Sequence, residues 1–471
     1  MLPDAGREHR YDPPDGNPEG RDASAMPDPR RDHQERAAAA FDVDARSPRR
    51  LRLSVSEAAR ATHAPRSYFY EYWPSTVALG EDLALLRATS TESWQEQVRA
   101  GSHDDVFRAL AEVLRADGAS AGTALRCVLS AGPADSTARA RLRAWDARWL
   151  IWLAGQLRAQ LGDRPGVPWT GAALLTTALV EGTLLVRGPR TGGAVAGFDA
   201  AFAEQVADTA ARATARFAEQ VTGPDLPGEA RGSDDDVLPA GATRLLARVA
   251  GAVERGTLDL HPDDHRLISP AELAEGLGVS TRWVHRCWPT PAALNADLFD
   301  EGLRRLTAAV DRSTRDAFEA STAAGGTPPD RTRSRTEDGG GLDRLPEPLA
   351  VLGMADRLER ADLVARHGPA IHAWAAANEI QTAALLHTAG DHLLPPLTMV
   401  DAADLAAGAA LGGSRLLAAD PRLADARCTH LGEDASLLAV VAELTHLARV
   451  RPTTRPPSDP PGSAGPERSS A

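Results

Sequence analysis

Ile268-Ser269-Pro270-Ala271-Glu272-Leu273-Ala274-Glu275-Gly276-Leu277-Gly278-Val279-Ser280-Thr281-Arg282-Trp283-Val284-His285 is the stretch on which the fold reading turns. Ser269 and Glu272 stand at the spacing of a capping box, in which a hydroxyl and a carboxylate satisfy free N–H groups at a helix start. A short helix follows, then a tight turn at Gly276-Leu277-Gly278, then a second short helix over 281–287. Trp288-Pro289 stops it, and a longer helix starts near Pro291. Sliding the chain by 215 positions lays residues 53–83 on 268–298 without a gap. Nine of the 31 pairs are identical: Ser54/Ser269, Glu57/Glu272, Ala59/Ala274, Trp73/Trp288, Pro74/Pro289, Ala78/Ala293, Leu79/Leu294, Asp82/Asp297 and Leu83/Leu298. Composition alone gives roughly two or three. The earlier copy has the same grammar: Ser54-x-x-Glu57, a turn at Ala61-Thr62-His63, a helix over Arg66–Tyr72, then Trp73-Pro74. Two short helices joined by a tight turn make a helix-turn-helix, whose second helix is the one that enters a major groove.

Residues 268–285, and Tyr68-Phe69-Tyr70-Glu71-Tyr72-Trp73-Pro74-Ser75, resemble the DNA-binding motif of the tetracycline-repressor (TetR) family. The resemblance implies an all-helical ligand domain after each motif, at about 91–221 and 299–450. Pro168-Trp169-Thr170…Glu181-Gly182-Thr183-Leu184-Leu185 is echoed by Pro396-Leu397-Thr398…Gly412-Gly413-Ser414-Arg415-Leu416. These resemble the last two helices, through which members of the family dimerise. The copies depart from the family at three places. Where the family has a turn glycine, copy two has Gly278 and copy one has His63. Where it has a phosphate-touching Tyr, copy one has Tyr70 and copy two His285. Where it has Lys after the stop, the copies have Thr76 and Pro291.

Outside the motifs, apolar spacing is helical. Residues 104–116 and 137–161 are amphipathic, as are 171–187, 198–221, 242–254, 292–310, 401–418 and 435–449. The helix preceding the second motif is clear (Leu245, Leu246, Val249, Val253); before the first, only Glu35–Phe41 is helical in pattern. The expected fold is all-α, with two tandem TetR-like units packed as an intrachain pseudo-dimer. The expected order is a disordered tail (1–33), a first helix-turn-helix domain (34–90), a first helical ligand and dimerisation domain (91–221) and a linker (222–238). A second helix-turn-helix domain (239–298), a second bundle (299–451) with a disordered loop (322–345), and a Pro/Ser tail (452–471) follow.

The chain of 471 residues has room for two to four domains. Hydrophobic residues make up 43% and aromatics only 4%, a balance that favours helix over sheet. The net charge is −13, and every basic residue counted among the 52 is Arg. An acidic total lowers nonspecific DNA affinity, although a local Arg cluster can still meet phosphate. Cys127, Cys287 and Cys428 are far apart, which suits a reducing cytoplasm and shows no zinc spacing. No signal peptide and no apolar run of about 20 residues are evident, so no membrane partner is expected.

The functional expectation is transcriptional control through double-stranded DNA, with a small-molecule effector and no cofactor. The alternative is a ligand-sensing or protein-interaction module that does not bind DNA. Ser54, Arg66, Ser67, Tyr68 and Tyr70 in copy one, and Ser269, Thr281, Arg282, Trp283 and His285 in copy two, are the expected DNA-facing residues. Arg66 and Arg282 open their helices, the end that meets base edges. Trp145, Trp149 and Trp152 form an aromatic stripe that fits either a ligand pocket or core packing, as do Trp94, Trp169 and Trp374. His261-Pro262-Asp263-Asp264-His265, and His387 with His392, read as solvated segments rather than metal ligands. Glu181, like other single acids in the bundles, reads as a surface or cap residue. No phosphate loop or nucleophile elbow is present, and no catalytic residue is expected. The chain is expected as a monomeric pseudo-dimer or a homodimer.

Overall fold

A computed structural model describes residues 35–40, 54–90, 93–101, 105–115, 121–130, 137–190, 200–226, 238–255, 270–323 and 360–452. The expected tails, most of the 322–345 loop, the 261–265 segment and Ser269 lie outside these residues. The described chain is mostly helical, as its Ala- and Leu-rich composition implies.

After a short helix over 35–40, the first half runs α1 (Val55–Thr62), α2 (Arg66–Tyr72), α3 (Thr76–Ala88), α4 (Trp94–Ala100), α5 (Val106–Arg115) and α6 (Ala121–Ser130). It continues with α7 (Thr137–Leu161), α8 (Trp169–Arg190), α9 (Ala200–Gln220) and a two-residue strand, β1 (Val221–Thr222). The second half runs α10 (Ala240–Glu254), α11 (Pro270–Leu277), α12 (Thr281–Cys287), α13 (Pro291–Ala323), α14 (Arg360–Ala389), β2 (Asp391–Leu393) and α15 (Met399–Ala419). Strands β3 (Arg427–His430) and β4 (Glu433–Ser436), helix α16 (Leu437–Leu447) and β5 (Val450–Pro452) complete it.

Helices α1 to α3 and α11 to α13 build two similar heads. Buried pairs fall at the 215-residue offset: Ala58 and Leu273, Phe69 and Val284, Leu79 and Leu294, Leu83 and Leu298. The helix that closes each head does not come from the expected place. Helix α10 adjoins the second motif in sequence, yet Leu245, Leu246 and Val249 pack into the core of the first head with Val55, Phe69 and Trp73. Each such apolar side chain, fully buried, contributes roughly 1.5–3 kcal/mol. The short helix at 35–40 adjoins the first motif, yet Ala40 is buried in the core of the second head with Leu273, Val284 and Trp288. Apolar periodicity specified that both segments are amphipathic helices; it carried no information about which head they cover.

The two halves meet most extensively along α8 and α15. Glycine makes the close approach possible, because a Cβ on Gly182 would lie 1.6 Å from the Gly408 carbonyl oxygen and one on Gly412 1.8 Å from the Ala178 carbonyl oxygen. Residues 182 and 412, and 178 and 408, are both 230 apart, so one offset relates the two contacts. Arg187 of α8 crosses to Asp404 (2.6 Å) and Asp401 (2.7 Å). Arg212 of α9 donates to the Ala448 carbonyl (2.8 Å), just past α16. Helices α13 and α14 lie side by side, with His367 Nδ1 2.6 Å from Asp300 and Gln381 donating to Ser313 at 3.1 Å.

Short strands decorate the helices. Strand β1 extends a β3–β4 hairpin, Val221 pairing with His430 and Thr222 with Thr429. Leu431 and Gly432, both at positive φ, turn the hairpin. Residues 435–436, expected to be helical, belong to β4 instead. The start of the expected linker is also structured: Asp225 accepts from the backbone N–H and hydroxyl of Thr170, both at 3.0 Å. The expectation of no membrane-length apolar run needs correction. Trp169–Arg187, 19 residues of mean hydropathy 1.4, is long and apolar enough to cross a membrane, and it is wholly buried within the protein.

Candidate nucleic-acid interface

Local chemistry fixes each head. The Ser54 hydroxyl accepts from the Glu57 N–H (3.4 Å) and starts α1. His63 ends it in the left-handed region at φ 52, ψ 34, and its counterpart Gly278 has φ 66. Copy one therefore keeps the left-handed turn with a side chain in place of glycine. A non-glycine residue there costs roughly 1–2 kcal/mol, although His tolerates this region better than most residues. No neighbour would touch a Cβ on Gly278, so the cost of Gly278→Ala is conformational alone. We expect a loss of about 1 kcal/mol in urea unfolding; no loss would mean that the turn relaxes.

Trp73 and Trp288 perform one task twice. Each indole N–H donates to a buried carboxylate on the following helix, Trp73 to Asp82 and Trp288 to Asp297, both at 2.7 Å. These clamps set the angle at which α2 and α12 leave the long helices behind them. In copy one Asp82 also receives Arg141 of α7 at 2.6 Å, which ties the head to the first bundle.

The outer faces of α2 and α12 are open. Arg66, Ser67, Tyr68 and Tyr70 are exposed, the two tyrosines by 53% and 56%, while Phe69 points into the core with no exposure. Thr281, Arg282 and His285 are exposed in the second head. Trp283 is half-buried and meets Trp288 edge-on at 6.3 Å. Ser54 is a half-buried cap. Arg286 was missed in the sequence; it is exposed, and its i+4 relation to Arg282 places both on one face. Its counterpart in copy one is Glu71, also exposed. The second head therefore presents Arg282, His285 and Arg286, and the first presents Arg66, Glu71 and two tyrosines.

Behind the first head lies a buried ionic cluster. Glu181 is wholly buried, contrary to its reading as a surface or cap residue. Its Oε1 accepts from Arg126 Nε (2.9 Å) and Gln95 Nε2 (3.1 Å). Arg126 also donates to Thr123 (2.9 Å) and to the carbonyl of Ala88 (2.6 Å), the last residue of α3. Arg415, from α15, grips Asp146 with two bonds of 2.7 and 3.0 Å and brings its Nε to 3.2 Å from Glu181. Burial pushes Asp146 above the ordinary carboxylate value, against the pull of Arg415. Burial depresses Arg126, with Glu181 opposing it. Burial also lowers Arg415, but Asp146 and Glu181 outweigh it, so its net shift is upward. Cys127, beside the cluster, is pushed up to about 12, chiefly by burial, which leaves its thiol protonated and unreactive.

The aromatic stripe is packed. Trp149 sits edge-on to Trp94 and stacked on Trp152, both at 5.1 Å, and its indole N–H donates to Thr177 (2.9 Å). Trp145 faces the Arg126 guanidinium at 5.6 Å. Trp374 is buried in a different cluster, with Phe299 and Ile371, so the four tryptophans are not brought to one place.

No protein-family model matches the chain, and no curated protein matches it significantly.

Proposed function

We propose that the chain is a TetR-like transcriptional regulator in which two tandem, diverged units pack as an intrachain pseudo-dimer and bind double-stranded DNA through α2 and α12. The observation that carries this reading is the twice-built head: a short helix with an open polar face, held by the same Trp–Asp clamp at a 215-residue offset. The reciprocal glycine contacts between α8 and α15 support a two-fold relation between the halves, and such a relation matches a site with two half-sites. The heads differ in the residues they present, so the two half-sites differ in sequence. Charge concentrates the phosphate contacts on α12.

A gel shift with the chain's own promoter region, titrated with salt, tests the proposal. Binding should weaken steeply as salt rises. Arg282→Ala with Arg286→Ala should lower affinity at least ten-fold and flatten the salt slope by roughly one unit for each phosphate no longer neutralised. The net charge of −13 and Glu71 on α2 favour a second reading, a protein-interaction module without DNA. Absence of any shift at low salt, where phosphate contacts are strongest, would favour that reading over the first.

A further inference from the structure

We infer that the two heads form one interdependent unit, because the leading helix of each half positions the recognition helix of the other. One pair of contacts is reciprocal, and two more tie each leading helix to the opposite head. Gly241, at the start of α10, lies against the Tyr72 hydroxyl at the end of α2. Arg36, near the start of the 35–40 helix, donates to Cys287 Sγ (3.7 Å) at the end of α12. Tyr72 and Cys287 are the equivalent positions of the two copies. Farther along, Arg248 of α10 donates to the carbonyl of Thr62, just before the His63 turn of the first head. Arg305 of α13 donates to the Ala38 carbonyl at 3.3 Å and holds the 35–40 helix on the second head. Inside, Ala242 and Ala37 are both buried.

The physical consequence follows from helix length. Helices α2 and α12 have seven residues each, far too few to persist without packing. Their inner residues, Phe69 and Val284, share cores with the crossing helices. Removing α10 would open the core of the first head, although α10 sits in the sequence beside the second. Neither half of the chain contains a complete head. The angle and spacing of the recognition helices are therefore set jointly, and a perturbation of one half reaches the head of the other.

Amide hydrogen exchange on the full chain tests this without DNA, so its outcome is separate from that of the DNA reading. Leu246→Ala should speed exchange across 55–72 at least ten-fold and leave 270–287 unchanged. Ala40→Glu should do the reverse. Each substitution loosening the head adjacent to it in sequence would overturn the inference. Loosening of both heads in both variants would hand the decision to cross-linking. In R36C, a short bismaleimide should join residue 36 to the native Cys287 within one chain. In a protein carrying R36C, Y72C and C287S, residue 36 should not be joined to residue 72. A link between 36 and 72, or a product at the mass of two chains, would overturn it.

Discussion

Arg415→Met is expected to lower stability by about 3–5 kcal/mol, the cost of leaving a buried charge without its partner. The cluster is balanced as it stands: Arg126 and Arg415 oppose Asp146 and Glu181, and all four are buried. Met fills much of the volume of Arg but leaves two carboxylates facing one guanidinium. Asp146 suffers most, since both of its oxygens are bonded to Arg415. Its carboxyl is already raised by burial, and loss of the cation raises it further. A carboxyl raised in the folded state favours folding below the unfolded value, near 3.9, and loses that contribution as pH climbs through the folded value. The deficit of the variant should therefore be largest at neutral pH and shrink toward pH 4. Adding Asp146→Leu removes the stranded charge and should recover most of the loss, leaving Arg126 and Glu181 as a neutral pair. Urea unfolding across pH measures all three effects. A deficit below about 1 kcal/mol, or one that grows on acidification, would show that water or rearrangement serves these carboxylates instead.

Those four residues also mark where reading the sequence stopped. Local relations were legible: the 215-residue repeat located both heads, and the same alignment contained Trp73 with Asp82 and Trp288 with Asp297, nine residues apart in each copy. Helix spans followed from apolar spacing, and the exposure of Arg66 and Arg282 followed from their place at a helix start. Relations between distant segments were not legible. Arg415 meets Asp146 across 269 residues, and nothing near Glu181 in sequence announces a partner 55 residues away. An acid in an apolar helix looks like an exposed exception until its cations are located. The same limit hid the crossing of the leading helices, since an amphipathic pattern states that one face is covered but not by what. The hairpin at 427–436 escaped for another reason. Its strands have four residues each, too few for alternation to stand out from the flanking helical pattern.

Gly182→Ala and Gly412→Ala are each expected to destabilise the protein by about 3 kcal/mol or more, at the upper end of overpacking costs. The new methyl carbon would sit 1.6 Å from the Gly408 carbonyl oxygen in the first variant and 1.8 Å from the Ala178 carbonyl oxygen in the second. Both obstacles are backbone, so no side-chain rotation relieves them, and α8 and α15 must move apart. That movement would loosen Arg187 from Asp401 and Asp404, and Arg415 from Asp146 and Glu181, because both sets bridge the same two halves. Gly155→Ala in α7 is the matched control. No atom lies within 4 Å of its added Cβ, so the better helix propensity of Ala should stabilise by up to about 1 kcal/mol. The sign of the effect thus separates contact from propensity. Paired sensitivity at 182 and 412 is what the proposed two-fold crossing demands, since Gly182 meets the backbone of α15 as Gly412 meets that of α8. If one of the two tolerated Ala while the other did not, the halves would be joined by a one-sided contact, and the proposed two-fold relation would fail.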